Sequence, residues 1–409
     1  MIDDLLNRLK NHRPFTRPLE GAAFTYGFNT DQMPFWIDYW TNSYNFTARE
    51  AFLNQFPHFK TNIQGLDIHY IHVKPKNCNL EVIPLMLLHG WPGSIREFYK
   101  AIPLLTECNE KLGFAVEVIV PSLPGFGFSD GAVRPGLGGT EMAVVLRNLM
   151  HRLGFKKFYI QGGDWGAHIC NSIATLFQDE ILGYHTNYAV SFAPASLGTW
   201  FAGSLSDALQ SLVVESSLAD RLYPLSTILK NLLTETGYLH IQATKPDTVG
   251  LGLGDSPSAL AAYVLQIVSV ASRSYYSERD DGGFLELFTP DEMIDNLMIY
   301  WTANSMTTAM RIYAETYNIR NVNMRSFAIA TTSPVCTIHA AHELLYQSPP
   351  ILRHKYTNLL NSTILDTGGH FLALELPEVF TESVLSALTM FRQWHEDRKS
   401  NRSISCNEL

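Results

Sequence analysis

The chain has 409 residues, of which 46% are hydrophobic and 12% aromatic, so it can bury a large core and fits one elaborated domain with additions better than several independent ones. A formal charge of −9 and a pI near 5.9, with no basic cluster, exclude an electrostatic case for binding nucleic acid. Five cysteines, Cys78, Cys108, Cys170, Cys336 and Cys406, are odd in number and lack metal-type spacing, so free thiols in a reducing compartment are expected, with no bound metal.

In chain order, residues 1–80 read as an N-terminal arm. Helical patterning over residues 2–9, 34–44 and 48–56, broken by Pro14 and Pro18, gives way to alternation over residues 66–73, which predicts a strand in a hairpin. Met1-Ile2-Asp3-Asp4 is neither a signal peptide nor an anchor, and the most apolar later stretch, residues 259–271, is too short to span a bilayer, so the chain as given is expected to be soluble.

From residue 81 the pattern becomes that of a mostly parallel sheet, with apolar runs at 82–88, 114–120 and 158–161 separated by helical stretches. Residues 81–193 are therefore assigned to the first part of an α/β core, whose chemistry belongs at the carboxyl ends of its strands. Over residues 194–325 helices dominate, notably at 256–272 and 290–317, as in a helical cap inserted into the core. Strand character returns at 327–330 and 335–337, and residues 326–409 form the second part of the core. Gly250, Gly252 and Gly254 follow no strand and are read as a loop, not as a dinucleotide-binding turn.

The third apolar run leads into Gly162-Gly163-Asp164-Trp165-Gly166. Glycines on either side of a central residue have the spacing of the nucleophile elbow of α/β-hydrolases, but Asp164 stands where a serine is usual. A carboxylate there attacks an electrophilic sp3 carbon, such as that of an epoxide or an alkyl halide, and water must then cleave the resulting ester. That second step needs an oxyanion hole. His89-Gly90-Trp91-Pro92-Gly93-Ser94 follows the first core strand, and by analogy with other hydrolases the backbone amides of Trp91 and Trp165 are the expected donors.

Activating the water needs a late histidine whose tautomer a carboxylate fixes. His370 sits in a glycine turn after the apolar stretch at 362–365. Glu343, in the loop after the strand at 335–338, is preferred as its acid over Asp366, which is close enough to His370 in sequence to cap the turn. Epoxide opening also needs a donor at the ring oxygen, a task suited to a neutral phenol. Among 18 tyrosines the residues alone do not choose which.

At these motifs the chain resembles the microsomal-type epoxide hydrolases, and within them the insect juvenile hormone epoxide hydrolases. The likeness runs along nearly the whole chain, through Tyr26-Gly27-Phe28-Asn29, Gly65-Leu66-Asp67-Ile68-His69, residues 89–94, 162–166, 242–250 and 368–371, with residues 132–138 leaning toward the insect branch. The resemblance implies an α/β-hydrolase fold with Asp164 as nucleophile, His370 as general base and Glu343 as its orienting acid. It also names Tyr238 and Tyr313 as the pair that binds the epoxide oxygen from the cap. No cofactor is implied; the partners are a lipophilic epoxide, juvenile hormone foremost, and water, and the product is a vicinal diol. Family members generally begin with a membrane anchor and are microsomal, whereas this chain opens within the arm that follows it. Residues 187–192 are more aromatic than the family pattern and are expected to narrow the pocket.

Three other readings fit less well. A haloalkane dehalogenase shares the aspartate elbow and adjacent tryptophan but often has an asparagine where this chain has Trp91. A hormone-binding protein without turnover has no need of Asp164, Glu343 and His370 together. In an esterase, a carboxylate nucleophile would form an anhydride, with no advantage over serine.

Overall fold

Apolar runs buried along most of their length account for the centre of the sheet. The computed structural model describes residues 1–317 and 328–407, the last seven by backbone alone. Among these, β1 (His58–Ile63), β2 (Leu66–Val73), β3 (Glu81–Leu88), β4 (Phe114–Pro121), β5 (Phe158–Gly162), β6 (Ile181–Thr186), β7 (Val335–His339) and β8 (Leu359–Ile364) form one sheet in the order β1-β2-β4-β3-β5-β6-β7-β8. The β1–β2 hairpin and the β2–β4 junction are antiparallel, and the five pairings from β4 through β8 are parallel. The expected mostly parallel sheet is present.

Side chains of β3 divide between two cores. Met86 and Leu88 join Ile119 and Ile160 on one face, while Leu85 and Leu87 join Val118, Val120 and Tyr159 on the other. Each such fully buried aliphatic side chain contributes about 1.5–3 kcal/mol. All eight residues of β4 are buried, which explains why its sequence shows no polar alternation. Ahead of the hairpin, Trp36 and Trp40 bury into the first of these cores.

Between β6 and β7 the described residues are helical and loop in character, from Pro194–Ala202 to Met306–Tyr317. Two expectations change here. The helix expected at 290–317 is two, Pro290–Ala303 and Met306–Tyr317, because Asn304 adopts a left-handed conformation (φ 49°, ψ 41°) that ends the first. Gly250, Gly252 and Gly254 lie inside the helix Pro246–Asp255 and not in a loop. A Cβ on Gly250 would fall 2.3 Å from Thr307 Oγ1, so glycine there lets this helix lie against Met306–Tyr317.

Of the strand expected at 327–330, Phe327 and the 325/326 boundary lie outside the described residues, and residues 328–330 form no strand. Thr331 makes a single bridge to Tyr356, and Pro334, which has no N–H, follows soon after.

The expectation for the cysteines is also overturned. Cys78 and Cys108 form a disulfide with their Cα atoms 5.6 Å apart, joining the loops that precede β3 and β4. An odd count ensures only that one thiol is left over, and the inference of a reducing compartment loses its footing. Cys170 and Cys336 are free and buried, and the Cys406 side chain lies outside the described residues. No helix among the described residues is long and apolar enough to cross a membrane.

Candidate active site

Leu88 of β3 pairs with Gly162 of β5, so the turns that follow the two strands stand side by side. After β5 the chain passes through Gly163 straight into the helix Asp164–Leu176. Asp164 takes φ +46°, a left-handed conformation that costs a non-glycine residue about 1–2 kcal/mol. The flanking glycines are sterically required. A Cβ on Gly162 would lie 2.4 Å from the Gly166 carbonyl, and one on Gly166 only 2.0 Å from Leu88 O. A Cβ on Gly90 would meet Asp164 Oδ1 at 2.1 Å, so the His89–Ser94 turn can close on the carboxylate only because that residue is glycine.

The Trp91 amide donates to Asp164 Oδ1 at 2.8 Å. Asp164 Oδ2 faces His370 Nε2 at 3.3 Å, and His370 Nδ1 lies 2.6 Å from Glu343 Oε1. Glu343 follows β7 and His370 follows β8, so loops beyond the carboxyl ends of three parallel strands bring the three together. Asp366 is exposed, and it is Glu343 that holds Nδ1. The Asp164 side chain keeps 22% of its exposure against 3% for His370 and 2% for Glu343, so the carboxylate is the member of the trio open to a small molecule.

Electrostatics follow from this packing. Burial alone would raise the Asp164 pKa, but the hydrogen bond and charge of His370, with the amides of Trp165 and Trp91, hold it below the ordinary value. Burial likewise works against a charge on His370, yet the charge of Glu343 and the hydrogen bonds of Asp164 and Glu343 carry its pKa well above the ordinary value. The resting pair is a carboxylate and an imidazolium.

Tyr238, on the helix Gly237–Thr244, and Tyr313, on Met306–Tyr317, come over this trio from the helical segment. The Tyr238 ring stacks on Trp91 with centroids 5.5 Å apart, and the Tyr313 ring stands edge-on to Trp165 at 4.7 Å. The two phenol rings are 6.1 Å apart. Burial raises both phenol pKa values, with the Asp164 charge adding to the effect, so both are neutral donors at neutral pH. Among the described residues no cluster of side chains could hold a metal ion.

Comparison with known proteins decides the family. The family model described as "Epoxide hydrolase N terminus" matches residues 1–98, and the "alpha/beta hydrolase fold" model matches residues 83–211. The juvenile hormone epoxide hydrolase of Bombyx mori is 51% identical over 96% of this chain and 85% of its own length. Its crystal structure superposes with a TM-score of 0.94, covering 97% of this chain and 93% of that one. Epoxide hydrolase 1 of Sus scrofa is 38% identical over 96% of this chain and 87% of its length. The chain belongs to the epoxide hydrolase family.

Several residues around the site of this epoxide hydrolase escaped the reading of the sequence. Glu97, on the turn Ile95–Phe98, is buried, and its pKa is pushed up to about 8 by burial first and by the charges of Asp164, Glu375 and Glu343, against the pull of His370. This favours its protonated form at neutral pH. Glu375 accepts from Arg273 Nη1 at 2.8 Å and from the Phe371 amide at 3.2 Å, and the His370 amide donates to Ala271 O at 3.3 Å. The helix Pro257–Ser272 and the residue after it thereby clasp the loop that carries His370. Within the aromatic stretch 187–192, Tyr188 sets its ring edge-on to His370 at 5.5 Å and lines the site. A charged residue in an otherwise apolar run was the available signal for Glu375, but it does not name a partner, and Glu97, beside Arg96, lacked even that.

Proposed function

We propose that this epoxide hydrolase opens a lipophilic epoxide, juvenile hormone in the first place, through a covalent ester on Asp164 and releases a vicinal diol. One arrangement carries the reading: Asp164 stands between the Trp91 amide at 2.8 Å and His370 at 3.3 Å, beneath two phenols. The name of the Bombyx mori relative, at 51% identity, supports the choice of hormone.

With Oδ1 held by the Trp91 amide, Oδ2 is the attacking oxygen. It bonds to an epoxide carbon as the ring C–O bond breaks, and the ring oxygen takes a proton from Tyr238 or Tyr313. Ester formation removes the Asp164 hydrogen bond and charge that, with Glu343, held the proton on His370, so the imidazole releases it more readily, restoring the phenol through solvent. Neutral His370, oriented by Glu343, then takes a proton from water. Hydroxide attacks the ester carbon, and the amides of Trp91 and Trp165 hold the oxyanion. Collapse breaks the bond between that carbon and the substrate-bearing oxygen, which takes the proton back from His370, so the diol leaves with an oxygen from Asp164, and the new Asp164 carboxyl group passes its own proton to His370 to restore the resting pair. In this reading residues 194–325 are a cap that brings the phenols, and residues 1–80 an arm braced against a core of 81–193 and 326–409.

A single turnover in 18O-labelled water tests the mechanism. The first diol should carry unlabelled oxygen, with label entering Asp164. Labelled first-turnover diol would falsify the covalent route, and a preference for a stilbene oxide over juvenile hormone would change the substrate alone.

A further inference from the structure

Asp295 is fully buried on the helix Pro290–Ala303, and its carboxylate is shared by three side chains from two other segments of the chain. From the N-terminal arm, Tyr44 OH and Arg49 Nε each donate to Oδ1 at 2.9 Å, while Arg49 Nη2 bonds Oδ2. Arg96 Nε donates to Oδ2 at 2.8 Å from the turn Ile95–Phe98, which directly follows the His89–Ser94 loop. The same helix holds that loop by its carbonyls: Asn296 Nδ2 donates to Pro92 O at 2.8 Å and Tyr300 OH to Gly93 O at 2.7 Å. Lys100 and Arg96 face Glu292 at 2.7 and 3.5 Å, and Arg49 faces Asp291 at 3.6 Å, so three cations are matched to three carboxylates. An ionic cluster buried at its centre, around Arg96 and Asp295, is weak evidence of net stabilisation, because desolvation offsets the attraction, but its directional bonds suit it to fixing one register of packed segments.

We propose that Asp295 is a positioning residue for ester hydrolysis: it ties the N-terminal arm to the Trp91 loop and so sets where the Trp91 amide stands beside Asp164. The inference rests on the reading of that amide as an oxyanion donor. Ring opening consumes negative charge on Asp164, whereas water attack on the ester creates it at Oδ1. A displaced Trp91 amide therefore slows the second step more than the first.

Rapid-quench single turnovers followed by intact mass separate the two steps, using whichever of juvenile hormone and a stilbene oxide the wild-type enzyme turns over. Asp295→Asn should slow ester decay about tenfold, less than the loss from deleting an oxyanion donor outright, with ring opening changed less than about twofold. Tyr44→Phe removes one hydrogen bond and no charge, and should slow decay by about twofold to threefold; it carries the test alone if Asp295→Asn does not fold. A merely structural role would lower the active fraction and leave the rate constant of ester decay unmoved. Ester decay at the wild-type rate in the folded variants, or an equal fall in both steps, overturns the proposal while leaving the covalent mechanism intact. Absence of any ester in the wild-type enzyme overturns both.

Discussion

Asp164 Oδ2 and His370 Nε2 lie 3.3 Å apart, so the nucleophile and the base of the proposed mechanism are counter-ions until the substrate arrives. Neutralising one should retune the other. Asp164→Asn keeps the shape and removes the charge, and the His370 pKa should fall, though the charge of Glu343 keeps part of its elevation. An NMR titration of 13C-labelled histidine reads this directly, and an unmoved His370 midpoint would mean that the two are not coupled. The same pair affects stability with a definite sign. The raised His370 pKa contributes stability that is complete below its ordinary 6.5 and is lost as pH rises through the folded value. The lowered Asp164 pKa contributes stability present above 3.8 and lost as pH falls through its folded value. The melting-temperature advantage from pairing should therefore be largest between these limits and shrink on either side.

Glu343 meets His370 Nδ1 at 2.6 Å with only 2% of its side chain exposed. Glu343→Gln keeps a hydrogen-bonding group there but withdraws the charge that favours an imidazolium as water is deprotonated. Ester hydrolysis should slow about 100-fold while ring opening is far less affected, so the ester should accumulate. Intact mass spectrometry under turnover would detect enzyme heavier by one substrate. Turnover within twofold of wild type would remove Glu343 from the mechanism.

How far the sequence could be read divides along physical lines. The elbow was legible because glycine at 162 and 166 is imposed by contacts below 2.5 Å, and a steric demand that strict leaves a fixed spacing in the chain. Glu343 and His370 were legible by position, since each follows an apolar strand of the sheet. Tyr238 and Tyr313 could be singled out only through family likeness, because a phenol over the site and one elsewhere have the same local pattern. The ties of Arg273 to Glu375 and of Arg49 to Asp295 span 102 and 246 residues, and such partnerships come from packing that periodicity does not encode. Gly250 was misread for the same reason, its cause being Thr307 on another helix.

Burial keeps Tyr238 and Tyr313 protonated well past neutral pH. If both donate to the ring oxygen, Tyr238→Phe and Tyr313→Phe should each slow ring opening about tenfold or more, with ester hydrolysis unchanged. Wild-type ring opening should also show no alkaline fall from phenol ionisation below about pH 10. Pre-steady-state rates across pH decide both points, and single variants that open the ring at wild-type speed would leave the phenols as mere pocket wall.

The Cys78–Cys108 disulfide closes a separation of 30 residues, with Cys78 ahead of β3 and Cys108 ahead of β4. Those are the amino ends of the strands, whereas Asp164, Glu343 and His370 follow carboxyl ends, so the crosslink is on the side of the sheet away from the chemistry. Restricting the unfolded chain over a loop of this length is worth about 3–4 kcal/mol. The double substitution Cys78→Ala with Cys108→Ala should lower the melting temperature by several degrees and leave kcat at 25 °C unchanged. Dithiothreitol should reproduce the shift in wild type and have no further effect on the double variant, since the buried thiols Cys170 and Cys336 are already free. Identical melting curves in both proteins, with and without reductant, would show that the bridge carries no stability; a loss of kcat in the folded variant would instead tie the loops before β3 and β4 to the active site.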